Sequence, residues 1–118
     1  MTDLIKLSLA EAAAKLRAKD VSATELTESY LNRIEARNGA INAYITVARD
    51  KALAMAKQAD AELAAGNAKL LTGVPLGIKD LYCTKDVLTT AASHILDGFK
   101  PAYESTVTQN LWNQGAVM

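Results

Sequence analysis

The chain has 118 residues, 50% apolar and 22% charged, which excludes a disordered composition and gives enough length for one modest core. Thirteen basic and thirteen acidic side chains cancel, which argues against a protein that holds nucleic acid by net positive charge. The single cysteine, Cys83, excludes an internal disulfide and favours a reducing, cytoplasmic setting, and no apolar run approaches the roughly 18 residues of a membrane span, so no membrane partner is expected.

Residues 1 to about 70 are rich in alanine and free of proline. "SLAE", beginning at Ser8, is a capping box, in which the Ser8 hydroxyl accepts from the N–H of Glu11 and Glu11 reaches back. Leu9, Ala12, Ala13 and Leu16 then share one helical face. "SATE", Ser22 to Glu25, repeats the device, so helices are predicted to begin near Leu9 and Ala23. Leu26, Tyr30 and Ile34 form the second stripe, and "RNG" at 37–39 is expected to end that helix with a glycine. "INAYITV", 41–47, is β-prone, and fits either a strand or an extended lead into a third helix. That helix is expected over about 48–65, with Ala52, Met55, Ala56, Ala59 and Leu63 on one side and Gly66 and Asn67 as its stop.

The remainder, 71–118, has another character. In "TGVPLGIKDLYC" Val74, Leu76 and Ile78 alternate with Pro75, Gly77 and Lys79, the pattern of a half-buried strand. A Thr-, Ser-, Gly- and Pro-rich stretch follows, then a short helix from about Ser105 to Gln114 with Gly115 as its stop. "GAVM" reads as the first residues of a buried strand. Termini are usually exposed and polar, so the chain is expected to be the N-terminal piece of something longer.

No metal-ligand spacing and no phosphate loop is visible. Ser93 and His94 are adjacent, a placement that rarely lets two side chains face each other productively, and they read as a loop serine beside a surface histidine. Lys79 is the remaining candidate. It can be a strand-end lysine whose stem covers apolar surface. It can also be a base, because an apolar site disfavours the ammonium form. The small residues Pro75 and Gly77 on its face leave room for other groups to approach.

"LTGVPLGIKDLY", "TTAASHIL" and "YESTVTQNLWNQGAVM", in this order and spacing, resemble the N-terminal region of the amidase-signature enzymes, and the helical opening from Ser8 to Val47 is similar too. The resemblance implies an α/β fold, a mixed β-sheet covered by helices, of which these residues form the N-terminal portion of a single amidase domain: a helical segment over 1–70, then strand, loop, helix and the start of a next strand over 71–118. It places the family's catalytic lysine on Lys79. Family catalysis also uses a serine in a cis peptide and a nucleophilic serine, and Ser8, Ser22, Ser29, Ser93 and Ser105 do not match their motif. "YES" at 103–105 stands where the family usually has Asp-Ala, a variation at a helix start.

Within the family the likeness is nearest to members that serve tRNA-dependent amidotransferases. These release ammonia from glutamine, in a complex with two other subunits, to amidate Glu-tRNA(Gln). No cofactor is expected in this chain, since ATP and Mg²⁺ belong to a partner subunit. The alternatives are an amidase acting on a free amide and a helical interaction module without chemistry. Unpaired apolar strand surface around Val74, Leu76, Ile78 and Val117 leads us to expect self-association.

Overall fold

A computed structural model describes residues 3–118; Met1 and Thr2, the first residues of the expected helical segment, lie outside the described residues. Four α-helices follow one another: α1, Leu9–Ala18; α2, Ala23–Ile41; α3, Arg49–Ala64; and α4, Thr106–Asn113. Short 3₁₀ turns occupy Leu4–Lys6 and His94–Leu96.

Both capping boxes form. The Ser8 hydroxyl accepts from Glu11 N–H at 3.3 Å and Ser8 N–H donates to Glu11 Oε2 at 2.8 Å. At α2 the Ser22–Glu25 pair makes the same exchange at 3.1 and 2.9 Å. Each such cap is worth roughly 1 kcal/mol. The start of α2 is held more firmly still. Asp60, near the end of α3, accepts from Ala23 N–H at 2.6 Å, Thr24 N–H at 3.1 Å and Thr24 Oγ1 at 2.6 Å. The N–H groups of the first three residues of α2, which have no partner inside the helix, are thereby all satisfied.

The end of α2 differs from expectation. Gly39 lies inside the helix, which runs on to Ile41, and Asn42 takes the left-handed conformation at φ +53°. Asparagine tolerates that region through its short polar side chain. Asn38 completes the stop by gripping Tyr44 from both sides: Tyr44 N–H donates to Asn38 Oδ1 at 2.8 Å, and Asn38 Nδ2 donates to Tyr44 O at 3.0 Å. Residues 43–47 are therefore the extended lead into α3 rather than a strand.

The apolar faces of the first three helices meet in one core with the second half of the chain. Leu16, Leu26, Ala56 and Ala23 are almost wholly buried, and Val74 and Val117 join the same cluster. Full burial of a leucine such as Leu26 is worth about 1.5–3 kcal/mol. Gly73 is the joint between the halves. Its φ is +84°, and a Cβ there would stand 2.9 Å from Ala23 Cβ and 3.3 Å from Leu16 Cδ1. Only glycine allows both the turn and this approach.

Neither expected strand of 71–118 develops into a sheet. Among the described residues there is no strand, only an isolated parallel bridge between Pro75 and Val117. Gly73 N–H donates to Gly115 O at 2.9 Å, Val117 N–H to Val74 O at 2.9 Å and Leu76 N–H to Val117 O at 2.8 Å. The pairing is parallel but short: Leu71 N–H adds one more bond, to Gln114 O at 3.0 Å, and Pro75 has no N–H to add to it. Val74 and Val117 are not exposed as expected, at 3% and 0%, because this pairing carries both into the helical core. Exposed apolar side chains lie elsewhere, among them Ile41, Leu70 and above all Ile95, which is 92% exposed. No helix among the described residues is long and apolar enough to cross a membrane.

Candidate functional site

A groove of about 900 Å³ opens between α2, the 43–48 link and the segment that follows the bridge. Tyr30 and Ile34 line it from the helix, Tyr44 to Val47 from the link, and Leu76 to Tyr82 from the other side. Lys79 lies on this lining and is exposed. Among the described residues its ammonium has no ion-pair or hydrogen-bond partner within the chain, and the apolar enclosure expected around it is not supplied by these residues.

The room left by the small residues on the lysine's side is taken up in part by Tyr44. Its phenol oxygen lies 3.1 Å from the place a Cβ on Gly77 would occupy, so any larger residue at 77 would push the ring away. The grip of Asn38 on the Tyr44 backbone therefore bears on the segment two residues before Lys79.

After Lys79 the chain turns, with Tyr82 N–H donating to Lys79 O at 3.1 Å. Asp80 then fastens the turn to the loop that follows. Its Oδ1 accepts from Thr90 N–H at 2.9 Å, its Oδ2 from Thr90 Oγ1 at 2.6 Å, and its backbone carbonyl from Ala91 N–H at 2.7 Å. Burial pushes the Asp80 carboxyl up, but the two Thr90 bonds and the nearby Ala92 N–H outweigh it and hold the group below the usual carboxylate range. The Ala92 N–H also donates to Thr90 Oγ1, at 3.2 Å.

Farther along, Glu104 ties the loop to α4. Its Oε1 accepts from Thr108 Oγ1 at 2.6 Å and Trp112 Nε1 at 2.9 Å, and its Oε2 from Lys85 N–H at 3.1 Å. Partial burial raises this carboxyl, the bonds from Thr108, Trp112 and Lys85 lower it, and the net shift is downward. The "YES" variation is thus a structural joint as well as a helix start.

The five serines of the chain are committed elsewhere. Ser8, Ser22, Ser93 and Ser105 cap helices or turns through their hydroxyls, and the Ser29 hydroxyl donates to Glu25 O at 2.9 Å. None of them lines the groove. Ser93 and His94 form no dyad: the Ser93 hydroxyl accepts from Ile95 N–H at 3.3 Å, while the fully exposed His94 has its Nδ1 3.1 Å from Asp97 Oδ2. Among the described residues no group of three or more His, Cys, Asp or Glu is gathered to hold a metal ion.

The sequence singled out Lys79 but not Asp80, Thr90, Tyr44 or Asn38. An aspartate ten residues before a threonine is too common a pattern to mark a clamp in advance.

A glutamyl-tRNA(Gln) amidotransferase subunit from Sinorhizobium fredii is 64% identical over 118 residues, all of this chain and 24% of that protein. The protein of the same name from Parvibaculum lavamentivorans is 65% identical over the same shares. The chain therefore spans 24% of the length of these curated relatives. The peptide amidase of Stenotrophomonas maltophilia superposes with a TM-score of 0.88 at 32% identity, covering 95% of this chain and 23% of that one. The family model named Amidase matches residues 25–118, from the capped start of α2 through the groove and its lysine, and the chain belongs to the amidase family.

Proposed function

We propose that this chain forms part of the glutamine-hydrolysing subunit of a tRNA-dependent amidotransferase, and that Lys79 is its base. The observation that carries the reading is the 64% identity to an amidotransferase subunit over every residue of the chain, twice the 32% shared with the peptide amidase. The open groove with an unpaired lysine on its lining supports it.

In this reading Lys79 in its neutral form draws a proton, through a bridging serine, from a nucleophilic serine. The serine oxygen attacks the side-chain amide carbon of glutamine, the C–N bond breaks, and the returned proton leaves with ammonia. Water then cleaves the acyl-enzyme to glutamate. Both serines come from the rest of the protein, since all five in this chain are engaged in caps or backbone bonds away from the groove. The rest of the protein also extends the Pro75–Val117 pairing into a mixed sheet covered by helices and closes the groove over Lys79. The working complex includes two further subunits and Glu-tRNA(Gln), uses ATP and Mg²⁺ at a partner subunit, and acts in the cytoplasm.

Ammonia release from glutamine by the whole protein, with and without partner subunits and charged tRNA, tests this. The reading requires glutamine hydrolysis that depends on the complex. Equal turnover of simple amides by the isolated protein would favour a free amidase instead. No turnover of any amide, with the complex assembled, would favour an interaction module.

A further inference from the structure

The loop after the groove carries a conformation that L-residues rarely adopt. Ala91 and Ala92, two consecutive alanines, have φ of +48° and +55°. Strain of this kind costs on the order of 1–3 kcal/mol per residue and persists only where the surroundings over-determine it. Here the surroundings are Asp80 and Thr90. The carboxylate takes both the N–H and the hydroxyl of Thr90, the Asp80 carbonyl takes Ala91 N–H, and Thr90 in turn accepts from Ala92 N–H at 3.2 Å and Ser93 N–H at 2.9 Å. Lys79, Asp80, Ala91 and Ala92 all line the same groove.

We propose that Asp80 is a positioning residue for Lys79: it locks the strained 90–92 loop as a fixed wall of the groove and holds the turn that carries the lysine at a set distance from it. This rests on the reading of Lys79 as the base. The carboxylate is needed because it is the one group here that can accept two bonds from Thr90 at once. An amide at residue 80 retains a single carbonyl acceptor and presents N–H groups to a neighbour that is already donating. The loop then relaxes out of its left-handed conformation and the lysine loses its register. A misplacement of about 1 Å at a reacting group costs up to roughly 100-fold in rate.

The test uses the whole protein in its complex, with kcat and KM for glutamine and thermal midpoint measured for each variant. Asp80→Asn is expected to lower kcat about 10- to 100-fold with KM changed less than about threefold. Thr90→Val, which keeps the shape but removes the hydroxyl, should fall in the same direction, whereas Thr90→Ser, which keeps both donors, should rescue kcat to within about threefold. The double variant Asp80→Asn/Thr90→Val should be little worse than the weaker single, because the two residues act as one unit. Parental kcat in Asp80→Asn beside an inactive Lys79→Ala would overturn the proposal. So would equal losses in Thr90→Ser and Thr90→Val. If Asp80→Asn does not fold, the two Thr90 variants decide in the same way. Parental turnover in Lys79→Ala refutes the base itself, a separate failure visible whatever Asp80 does.

Discussion

Replacing Asp60 with alanine removes the acceptor for three donors at the start of α2, at 2.6, 3.1 and 2.6 Å. Hydrogen bonds to a charged group are worth about 1.5–3 kcal/mol each when their partner stays buried. Asp60 is only half-buried, so water recovers part of the loss. The Ser22–Glu25 box also remains to hold the third N–H of the helix. Ala23 is fully buried, however, and its N–H has no other partner. We therefore expect Asp60→Ala to cost about 2–4 kcal/mol, and Asp60→Asn about half as much, because one carbonyl oxygen survives. With a urea m-value of about 1–3 kcal/mol/M, the alanine variant should unfold about 0.7–4 M earlier. Glu28→Ala, an exposed change on the same helix, is the control and should lie within about 0.5 kcal/mol of the parent. A midpoint for Asp60→Ala indistinguishable from that control would show that the carboxylate does not lock α3 to α2.

Gly73→Ala should destabilise by about 2–4 kcal/mol in the same urea experiment, since a Cβ there meets Ala23 at 2.9 Å and the backbone sits at φ +84°; a neutral result would mean that the two halves do not meet as described. The carboxyls of Glu11, Glu25, Asp80 and Glu104 are all held below their ordinary values of 4.5 for glutamate and 3.8 for aspartate. A group depressed in the folded state contributes stability that is full above its unfolded value and is lost as pH falls through its folded one. The thermal midpoint should therefore be flat from pH 7 to about 5 and fall below about 4.5. Glu104→Gln should lower the neutral plateau and make the acid limb shallower, and an unchanged acid limb would show that Glu104 contributes nothing to it.

The helical half of the chain was legible because its signals are local. The capping boxes at Ser8 and Ser22 and the apolar spacing after them lie within one or two turns of sequence, and α1 and α2 begin where those signals place them. Gly39 misled because a glycine is a permissive stop, not an obligatory one. The actual stop depends on Asn38 reaching Tyr44, six residues on. The alternation at Val74, Leu76 and Ile78 registers an extended segment, but a strand needs a paired neighbour, and the pairing present reaches only Val117. Lys79 was visible as an oddity of residue type. Asp80 with Thr90, and Glu104 with Trp112, were not, because tertiary contacts across loops leave no periodic trace.

The role proposed for Lys79 as a base is tested most directly by kcat for ammonia release from glutamine, measured on the whole protein in its complex for Lys79→Ala, Lys79→Arg and the parent. A guanidinium keeps its proton throughout the accessible pH range, so it can fill the space and carry the charge but cannot accept a proton. Both variants should therefore lose most activity, on the order of 100-fold or more, as expected for removal of an acid–base group. Near-parental turnover by Lys79→Arg would contradict a base at this position.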